Sequence, residues 1–258
     1  LNAGKAIAGS LKKPFIAVNH LEGHALSPKI NKKIKFPYLL LIISGGHTQF
    51  LEVNGVNDYK RLGTTIDDAL GEAFDKTAKL LGIEFPGGPK IEEWAKKGDE
   101  NYFELPKPIL KRGGCNLSFA GLKTAVLRTS KGIKKQKEKY HLAASFQKTI
   151  NEILYEKTKV SMEEFLKNKK NKKNIFVIAG GVASNMKIRE NLIKLSKEKN
   201  FLPIFTPKNL CSDNAAMIAW AGIERYKINL IDNLNFPSKA RWPLDASAPF
   251  LKGPGLKI

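Results

Sequence analysis

Two histidines in this sequence stand at a spacing that suits a shared metal ion. His20 and His24 are the ends of the sequence His-Leu-Glu-Gly-His. On a helix, residues four positions apart lie about 40° apart around the axis, so both imidazoles can reach one ion. Zn(II) and Fe(II) bind such pairs, and a carboxylate would complete the ligand set. The alternative is two surface histidines, but two of only four histidines in the chain have ligand spacing, which favours a metal site.

The position of Glu22 argues against a zinc protease. Proteases with the His-Glu-x-x-His pattern have the glutamate directly after the first histidine. Here the glutamate comes two places after His20, which is about 200° around a helix. We therefore expect Glu22 on the side of the helix opposite the metal, where it cannot activate a metal-bound water.

Two Gly-Gly sequences that follow apolar runs are candidates for phosphate binding. Gly45-Gly46 follows the run 38–43, and Gly180-Gly181 follows the run 174–179. Glycines allow backbone N–H groups to approach an anion, and a helix N-terminus favours one. Each could instead be an ordinary hairpin or strand–helix turn, the second with Ser184 or Asn185 as N-cap. Two such turns in one chain favour a nucleotide cleft, although the second does not match a Walker A loop.

Acidic residues near two predicted helix starts have two interpretations each. Asp68, Glu72 and Asp75 share one face of a predicted helix, where a solvated surface is the default and a ribose contact the alternative. Asp213 begins a helix of small residues, where N-capping is the default. The functional alternative makes Asp213 a distant third metal ligand.

The elements that must position these residues alternate between strands and helices. The run 38–43, the glycines and the alternating segment 48–53 predict a β-hairpin, with a third strand at 61–64. Further strands are predicted at 15–18, 174–179 and 202–205, and a rigid loop is predicted at 86–89. The predicted helices cover 3–13, 19–27, 67–81, 90–97, 121–130, 140–167, 184–199 and 213–226. The predicted class is therefore α/β with a mixed sheet.

Charge and composition limit the function classes. The chain has 258 residues, 44 basic and 24 acidic, giving a net charge of +20. Polyanions such as RNA suit this charge, and the densest lysine clusters are at 131–139 and 167–173, but solvated surface turns would also explain them. The two cysteines lie far apart, which argues against a disulfide framework and fits a reducing cytosol. No apolar run reaches the length of a membrane-spanning helix.

Together these segments closely resemble the bacterial tRNA adenosine threonylcarbamoyltransferase family of the TsaD type, formerly called the O-sialoglycoprotein endopeptidase or glycoprotease family, from about Leu11 to Leu244. The motifs that carry the resemblance are His-Leu-Glu-Gly-His, Ser-Gly-Gly-His-Thr-Gln, Ile-Asp-Asp-Ala-Leu-Gly-Glu-Ala-Phe-Asp-Lys, Phe-Pro-Gly-Gly-Pro, Gly-Leu-Lys-Thr, Gly-Gly-Val-Ala-Ser-Asn and Cys-Ser-Asp-Asn-Ala-Ala-Met-Ile-Ala. Two departures are Asn19, where the family commonly has a second histidine, and Ala120, where it commonly has serine.

The resemblance implies an α/β, actin-like ATPase fold of the sugar kinase and Hsp70 kind, with two lobes and a central cleft. It places residues 1–36, with the metal-binding helix, in the remainder of an N-terminally truncated first lobe. Residues 37–228 would form the second lobe, and residues 229–258 a C-terminal tail that returns to the first lobe. A sugar kinase shares this fold, because fold alone does not fix function.

The resemblance also implies an activity. The chain would transfer the threonylcarbamoyl group from threonylcarbamoyl-AMP to N6 of the adenosine at position 37 of tRNAs that read codons beginning with A. This implies a metal-dependent acyltransferase in the cytoplasm, without a membrane, and with partner proteins of the TsaB and TsaE type. The alternative is a nucleotide-binding scaffold subunit of a tRNA-modification complex that is inactive alone.

The site residues implied by the resemblance are matched position by position. The metal ligands match His20, His24 and Asp213, which would hold one divalent ion per subunit, Fe(II) or Zn(II). The substrate-contacting positions match Ile42, Ile43, Ser44, Gly45, Gly46, Asp75, Gly88, Glu92 and Asn185. No residue is assigned as the general base.

Overall fold

A five-stranded mixed sheet organises the chain, whose computed structural model describes residues 1–167 and 174–249. The strands are β1 (Tyr38–Ile43), β2 (Thr48–Gly55), β3 (Asp58–Thr64), β4 (Asn174–Ala179) and β5 (Phe201–Phe205). Their order across the sheet is β3-β2-β1-β4-β5. Strand β1 lies at the centre, with β2 antiparallel on one side and β4 parallel on the other. The hairpin and the mixed sheet predicted from the sequence are therefore confirmed.

Nine α-helices lie in the described residues. They are α1 (Asn2–Ser10), α2 (His20–Leu26), α3 (Leu70–Leu80), α4 (Gly87–Ala95), α5 (Ala120–Ser130), α6 (Gln136–Leu166), α7 (Met186–Glu198), α8 (Lys208–Cys211) and α9 (Ala215–Tyr226). Short 3₁₀ turns at Ser27–Ile30 and Gly181–Ser184 extend α2 and precede α7. Most predicted helices are confirmed, with ends that differ by a few residues.

Strand β1 is buried on both faces, which explains why its sequence is a continuous apolar run. Every residue of Tyr38–Ile43 is fully buried. Alternate side chains of a strand point to opposite faces. Leu39 and Leu41 pack into the larger core with α3, α5, α6 and α7, whereas Leu40 and Ile42 pack into a smaller core with α2. Helices therefore cover both faces of the central strand.

Helix α3 begins later than its sequence predicts because of a tertiary contact. The predicted start is residue 67, but the helix begins at Leu70. Asp67 instead uses its carboxylate to accept hydrogen bonds from the backbone N–H groups of Phe119 (2.7 Å) and Ala120 (3.3 Å), at the start of α5. Such donors lack partners within their own helix, so the carboxylate stabilises α5 rather than α3.

The prediction of a rigid loop at 86–89 is wrong for residues 87–89, which are helical. Helix α4 begins at Gly87, and Pro89 occupies its first turn, where a missing N–H breaks no intrahelical hydrogen bond. A Cβ atom at Gly87 would lie 2.2 Å from the Cβ atom of Ala78, so only glycine allows α4 to pack this closely on α3.

Both Gly-Gly turns lie at one edge of the sheet. Because β1 and β4 are parallel neighbours, Ser44 and Gly180 follow their carboxyl ends side by side. Gly180 has a φ of +95°, and a Cβ atom there would lie 2.4 Å from the carbonyl oxygen of Ile43. The glycine is therefore required both for its backbone conformation and for close packing against β1.

Two other sequence predictions differ from the structure or lie outside it. The predicted strand at 15–18 is wrong, because this segment forms only a single β-bridge, between Phe15 and Asp232. The lysine cluster at 167–173 lies outside the described residues except for Lys167, and the predicted tail is described only as far as residue 249.

Candidate metal and nucleotide site

The structure brings together the three residues implied as metal ligands. His20 and His24 lie on α2, and Asp213 lies in the loop before α9, 189 residues after His24. The Oδ1 atom of Asp213 is 3.3 Å from Nε2 of His20 and 3.1 Å from Nε2 of His24. One candidate ligand atom from each residue lies within 4.8 Å of the others. Two imidazoles and one carboxylate thus converge on one point.

Asn19 fixes the start of the helix that carries the histidines. Its Oδ1 atom accepts a hydrogen bond from the Leu21 N–H at 2.9 Å, which makes Asn19 the N-cap of α2. Its Nδ2 atom donates to the Trp242 carbonyl at 2.6 Å. Asn19, at a position where the family commonly has a second histidine, therefore caps the helix that carries His20 and His24 and ties this helix to the C-terminal segment.

The N-cap of α9 is Asn214 rather than Asp213. The Oδ1 atom of Asn214 accepts from the Met217 N–H at 2.9 Å. The capping interpretation of Asp213, the default from sequence, is therefore wrong. The Asp213 carboxylate is free of this backbone role and faces the two histidines.

The electrostatics of His24 suit a metal ligand. Its side chain is 2% exposed, compared with 48% for His20 and 72% for Asp213. Burial lowers the pKa of His24, and the nearby charge of His20 lowers it further, while Asp213 partly opposes both. His24 is therefore neutral near pH 7, and the neutral imidazole is the form that binds a metal. The donor set and its protonation thus fit a divalent transition metal.

The turn after β1 exposes backbone next to this triad. Ser44 N–H donates to the His47 carbonyl at 2.8 Å and closes the turn. Gly45 and Gly46 are exposed, and a Cβ atom added to either would have no heavy atom within 4 Å. This part of the predicted site can be approached by a ligand from outside. Ile42 and Ile43 are fully buried, so the side chains of these two predicted positions face the protein core instead.

His47 is a residue of this region that the sequence interpretation does not assign to the site. It is near enough to the triad for its pKa to respond to the charges of His20 and Asp213. Partial desolvation of the ring and the charge of His20 both lower that pKa. The position of His47 directly after Gly45-Gly46 is the signal that could have found it.

Asp75 and Gly45 line the same cavity, of about 460 Å³, beside α3 and the start of α4. Its wall also includes Lys79 and the exposed ring of Phe85. Asp75 Oδ1 accepts from the Gly87 N–H at 2.9 Å, so the carboxylate also joins α3 to α4. Two predicted substrate positions are therefore neighbours here.

The remaining predicted substrate positions lie around α4 and α7. A Cβ atom at Gly88 would meet open space. Glu92 Oε1 accepts from the Met186 N–H at 2.8 Å, at the first turn of α7. Asn185 caps α7 through the Ile188 N–H at 2.9 Å and donates to Oε1 of Gln147 at 2.9 Å. Glu92 and Asn185 thus both have structural partners at the N-terminus of α7.

Asp68 and Glu72 form ion pairs with lysines. Lys76 lies 3.2 Å from Asp68 Oδ1 and also pairs with Glu72, and Lys123 lies 2.8 Å from Asp68 Oδ2. The solvated-face interpretation fits Glu72, which is 43% exposed, although Glu72 and Asp75 both line the cavity. Asp68 precedes α3 and is only 16% exposed, so it is a partly buried ion-pair partner of the two lysines.

Comparison with known proteins identifies the family. The family model described as tRNA N6-adenosine threonylcarbamoyltransferase, TsaD, matches residues 1–220. A protein of that name from Pelagibacter ubique is 68% identical over 258 residues, which is 100% of this chain and 72% of the relative. Another from Zymomonas mobilis is 51% identical over 256 residues, covering 98% of this chain and 69% of the relative. The chain belongs to the tRNA N6-adenosine threonylcarbamoyltransferase family.

Solved structures confirm the fold expected for this family. Two HypF structures, one of them from T. kodakarensis, superpose with TM-scores of 0.62 and 0.63 at 16% sequence identity. Each covers 86% of this chain, and the chain covers 37% and 38% of the two HypF chains. The fold is therefore the actin-like ATPase fold.

For this threonylcarbamoyltransferase family member, the predicted orientation of Glu22 is confirmed. Its carboxylate is 1% exposed and accepts hydrogen bonds from the Tyr59 hydroxyl and from Arg225, both at 2.9 Å. It faces away from the histidines, so the protease geometry is absent from α2.

Within residues 1–167 and 174–249, no helix has the length and apolar character needed to cross a bilayer.

Proposed function

We propose that this chain transfers the threonylcarbamoyl group from threonylcarbamoyl-AMP to N6 of the adenosine at position 37 of tRNAs that read codons beginning with A. Membership of the family supports this activity. The observation that carries it is the meeting of His20, His24 and Asp213 beside the exposed Gly45-Gly46 turn. A metal site next to an open, anion-binding backbone suits a donor that has both a carbonyl and a phosphate.

The metal would be Fe(II) or Zn(II), one per subunit, held by Nε2 of His20, Nε2 of His24 and the carboxylate of Asp213. When bound, such an ion polarises a carbonyl oxygen and orients the group that carries it. His24, kept neutral by burial, and the half-exposed His20 present their nitrogens to the same point. The exposed ligands His20 and Asp213 leave this point open to a substrate.

The remaining residues would bind the adenylate part of the donor. The backbone N–H groups of Gly45 and Gly46 would face the phosphate, as in other anion-binding turns. Asp75, Gly88, Glu92 and Asn185 would line the ribose and base side, with Ile42, Ile43 and Ser44 shaping the turn that precedes the glycines. Because Asp75, Glu92 and Asn185 already bind backbone or side-chain partners, they would hold this side in a fixed shape before the donor arrives.

The reaction needs positioning more than acid catalysis. The N6 lone pair is delocalised into the adenine ring, so the amine is a poor nucleophile and the donor carbonyl must be held within attack distance. The N6 nitrogen forms the new C–N bond, the C–O bond to the phosphate breaks, its electron pair leaves with AMP, and N6 loses a proton. AMP is a good leaving group, so a strong general acid is not required.

The tRNA would contact the lysine cluster at residues 131–139. The exposed lysines between the end of α5 and the first turn of α6 are Lys131, Lys134, Lys135 and Lys137. If they bind phosphates, tRNA affinity falls steeply with salt, and reversing their charge makes the logarithmic salt slope shallower by roughly one for each phosphate that is no longer neutralised. A tRNA substrate places this activity in the cytoplasm, and we include partners of the TsaB and TsaE type in the proposal.

The domain division follows the same proposal: residues 1–36 belong to the first lobe, 37–228 form the second, and the tail from 229 returns to the first. Two contacts support the return. Asp232 Oδ2 accepts from the Ala17 N–H at 2.9 Å, and the Trp242 carbonyl accepts from Asn19.

The test is a transfer assay with purified chain, threonylcarbamoyl-AMP and an unmodified tRNA transcript, with and without partner proteins. We expect threonylcarbamoyladenosine in nuclease digests, detected by mass spectrometry, and none with a transcript that carries guanosine at position 37. Product only in the presence of partners, unchanged by mutation of His20, would support the scaffold alternative. No product under either condition would contradict the proposed activity.

A further inference from the structure

A buried ion pair lies on the side of α2 opposite the two histidines. The Oε2 atom of Glu22 accepts a hydrogen bond from Nη1 of Arg225 at 2.9 Å. The two side chains are 1% and 8% exposed. Glu22 is on α2 and Arg225 is in the last turn of α9, 203 residues later. The pair therefore joins two helices that are distant in the sequence.

The second oxygen of Glu22 binds the turn between β2 and β3 and the start of β3. Its Oε1 atom accepts from the Asn57 N–H at 3.0 Å and from the Tyr59 hydroxyl at 2.9 Å. Arg225 also donates to the Asn57 side chain at 3.2 Å. Burial and the charge of Glu22 raise the pKa of Tyr59, so its hydroxyl keeps its proton and remains a donor. We call Glu22, Arg225, Tyr59 and Asn57 the Glu22 clamp.

The helices joined by the Glu22 clamp position all three candidate metal ligands. The histidines are on α2, and Asp213 precedes the first residue of α9 by two positions. Between them the helices pack closely, since a Cβ atom at Gly23 would lie 3.0 Å from Cδ1 of Ile218. A change in the rotation of α2 or in its distance from α9 would therefore separate the histidines from Asp213.

Stability alone does not account for such a network. Burying two charges costs about as much free energy as their attraction returns, so a buried ion pair is weak evidence for a stabilising role. Its directional hydrogen bonds do define one relative arrangement of the three elements that it joins. Residues that orient metal ligands without touching the ion act in the same way, through directional hydrogen bonds that define one geometry.

We propose that Glu22 and Arg225 are positioning residues of the metal site, which hold α2 against α9 so that His20, His24 and Asp213 converge. The inference rests on the proposed metal site and adds two residues that do not touch the ion. It assigns Glu22, which has no place in the proposed chemistry, a role in metal affinity.

The test measures metal binding rather than activity. Metal-free wild type and Glu22→Gln are titrated with Zn(II), and with Co(II) followed by visible absorption, well below the Tm of each. We expect Glu22→Gln to bind roughly 10-fold more weakly, the lower end of the loss that follows removal of a group bonded directly to a ligand, and to change the Co(II) absorption bands. The amide keeps the size of the side chain but removes the charge that pairs with Arg225.

Leu195→Ala is the matched control for reduced stability. Leu195 is fully buried on α7, in the core on the opposite face of the sheet from α2. We expect it to lower the Tm while leaving both metal affinity and the Co(II) spectrum as in wild type. If Glu22→Gln and Leu195→Ala lower the Tm alike and neither changes metal affinity, the Glu22 clamp is only structural and the inference is overturned.

Tyr59→Phe provides a second variant if Glu22→Gln does not fold. It removes one hydrogen bond to Glu22 and keeps the ring in place. We expect a smaller, severalfold loss of metal affinity, and unchanged affinity would overturn the inference. Wild type that binds neither Zn(II) nor Co(II) would instead overturn the proposed metal site, so the two failures are distinguishable.

Discussion

The two ends of the candidate site are built in different ways. At the metal end, side chains supply the ligand atoms. His24 is 2% exposed, and the buried Glu22–Arg225 ion pair lies on the opposite side of α2. At the nucleotide end, Gly45 and Gly46 expose backbone, and a Cβ atom at either would have open space around it. Three ligand atoms must meet within a few ångströms without help from a substrate, whereas a phosphate brings its own oxygens to an open turn. The comparison indicates that the metal end depends on buried contacts behind α2, whereas the turn at the nucleotide end leaves its backbone open to a ligand.

The largest expected effect tests the metal end. His20→Ala removes one ligand, and because its side chain is 48% exposed the fold should remain intact. We expect tRNA modification to fall by about 100-fold or more, since loss of a ligand exceeds the effect of losing an orienting partner. Mass spectrometry of digested tRNA measures the product, and circular dichroism checks the fold. Unchanged turnover would remove the metal from the mechanism.

The next effect tests whether the nucleotide end also depends on packing. A Cβ atom at Gly71 would lie 2.7 Å from the Ser44 carbonyl oxygen, so Gly71→Ala must displace the turn or helix α3. We expect the free energy of unfolding to fall by about 1–3 kcal/mol, as for other overpacked sites. Urea denaturation measures it.

Gly88→Ala is the paired control, because its Cβ atom would meet open space. Its stability should equal or slightly exceed that of wild type, since alanine is the better helix former. Equal destabilisation of the two variants would mean that contact with the turn is not the cause.

A smaller effect tests Asn185, which is both a predicted substrate contact and the N-cap of α7. Asn185→Ala should lower the free energy of unfolding by about 1 kcal/mol through loss of the cap. Asn185→Asp keeps the acceptor for the Ile188 N–H but loses the hydrogen bond to Gln147, so it should be destabilised less. Thermal unfolding compares them, and an equal loss in both variants would assign the effect to Gln147 rather than to the cap.

The smallest effect returns to the metal end and concerns pH. Burial lowers the pKa of His24 below its ordinary value of 6.5. Between the lowered pKa of the folded state and the ordinary pKa of 6.5, the unfolded chain binds a proton at His24 that the folded chain does not. The free energy of unfolding of the metal-free protein should therefore decrease as pH falls below 6.5. Chemical denaturation from about pH 7.5 to about pH 5 measures the slope. His24→Gln should show a shallower slope, and identical slopes would place the titrating group elsewhere.

The sequence predicts features that depend on neighbouring residues. The apolar run and glycines predict the β1–β2 hairpin, and helical spacing predicts both the shared face of His20 and His24 and the opposite orientation of Glu22. Contacts between distant residues cannot be predicted in this way. From the residues alone, Asp213 is either an N-cap or a distant third ligand, and only the family resemblance chooses between the two, because Asp213 lies 189 residues from His24.

Local preference also misplaces some boundaries. Asp213 and Asn214 are both good N-cap residues, and only the tertiary position of the histidines separates their roles. Local rules place Asp67 in its own helix, but its carboxylate caps α5 instead. In both places a side chain that local rules would use nearby is used by a distant part of the fold.

The distance between the ligands along the chain has a consequence for synthesis. All five strands of the described sheet lie between His24 and Asp213 in the sequence. A nascent polypeptide on the ribosome therefore carries the histidine pair long before the carboxylate emerges from the exit tunnel. At the proposed metal site, an ion could be held by all three ligands only after the sheet between them has been translated, so we expect metal loading to be a late event in the biogenesis of this protein.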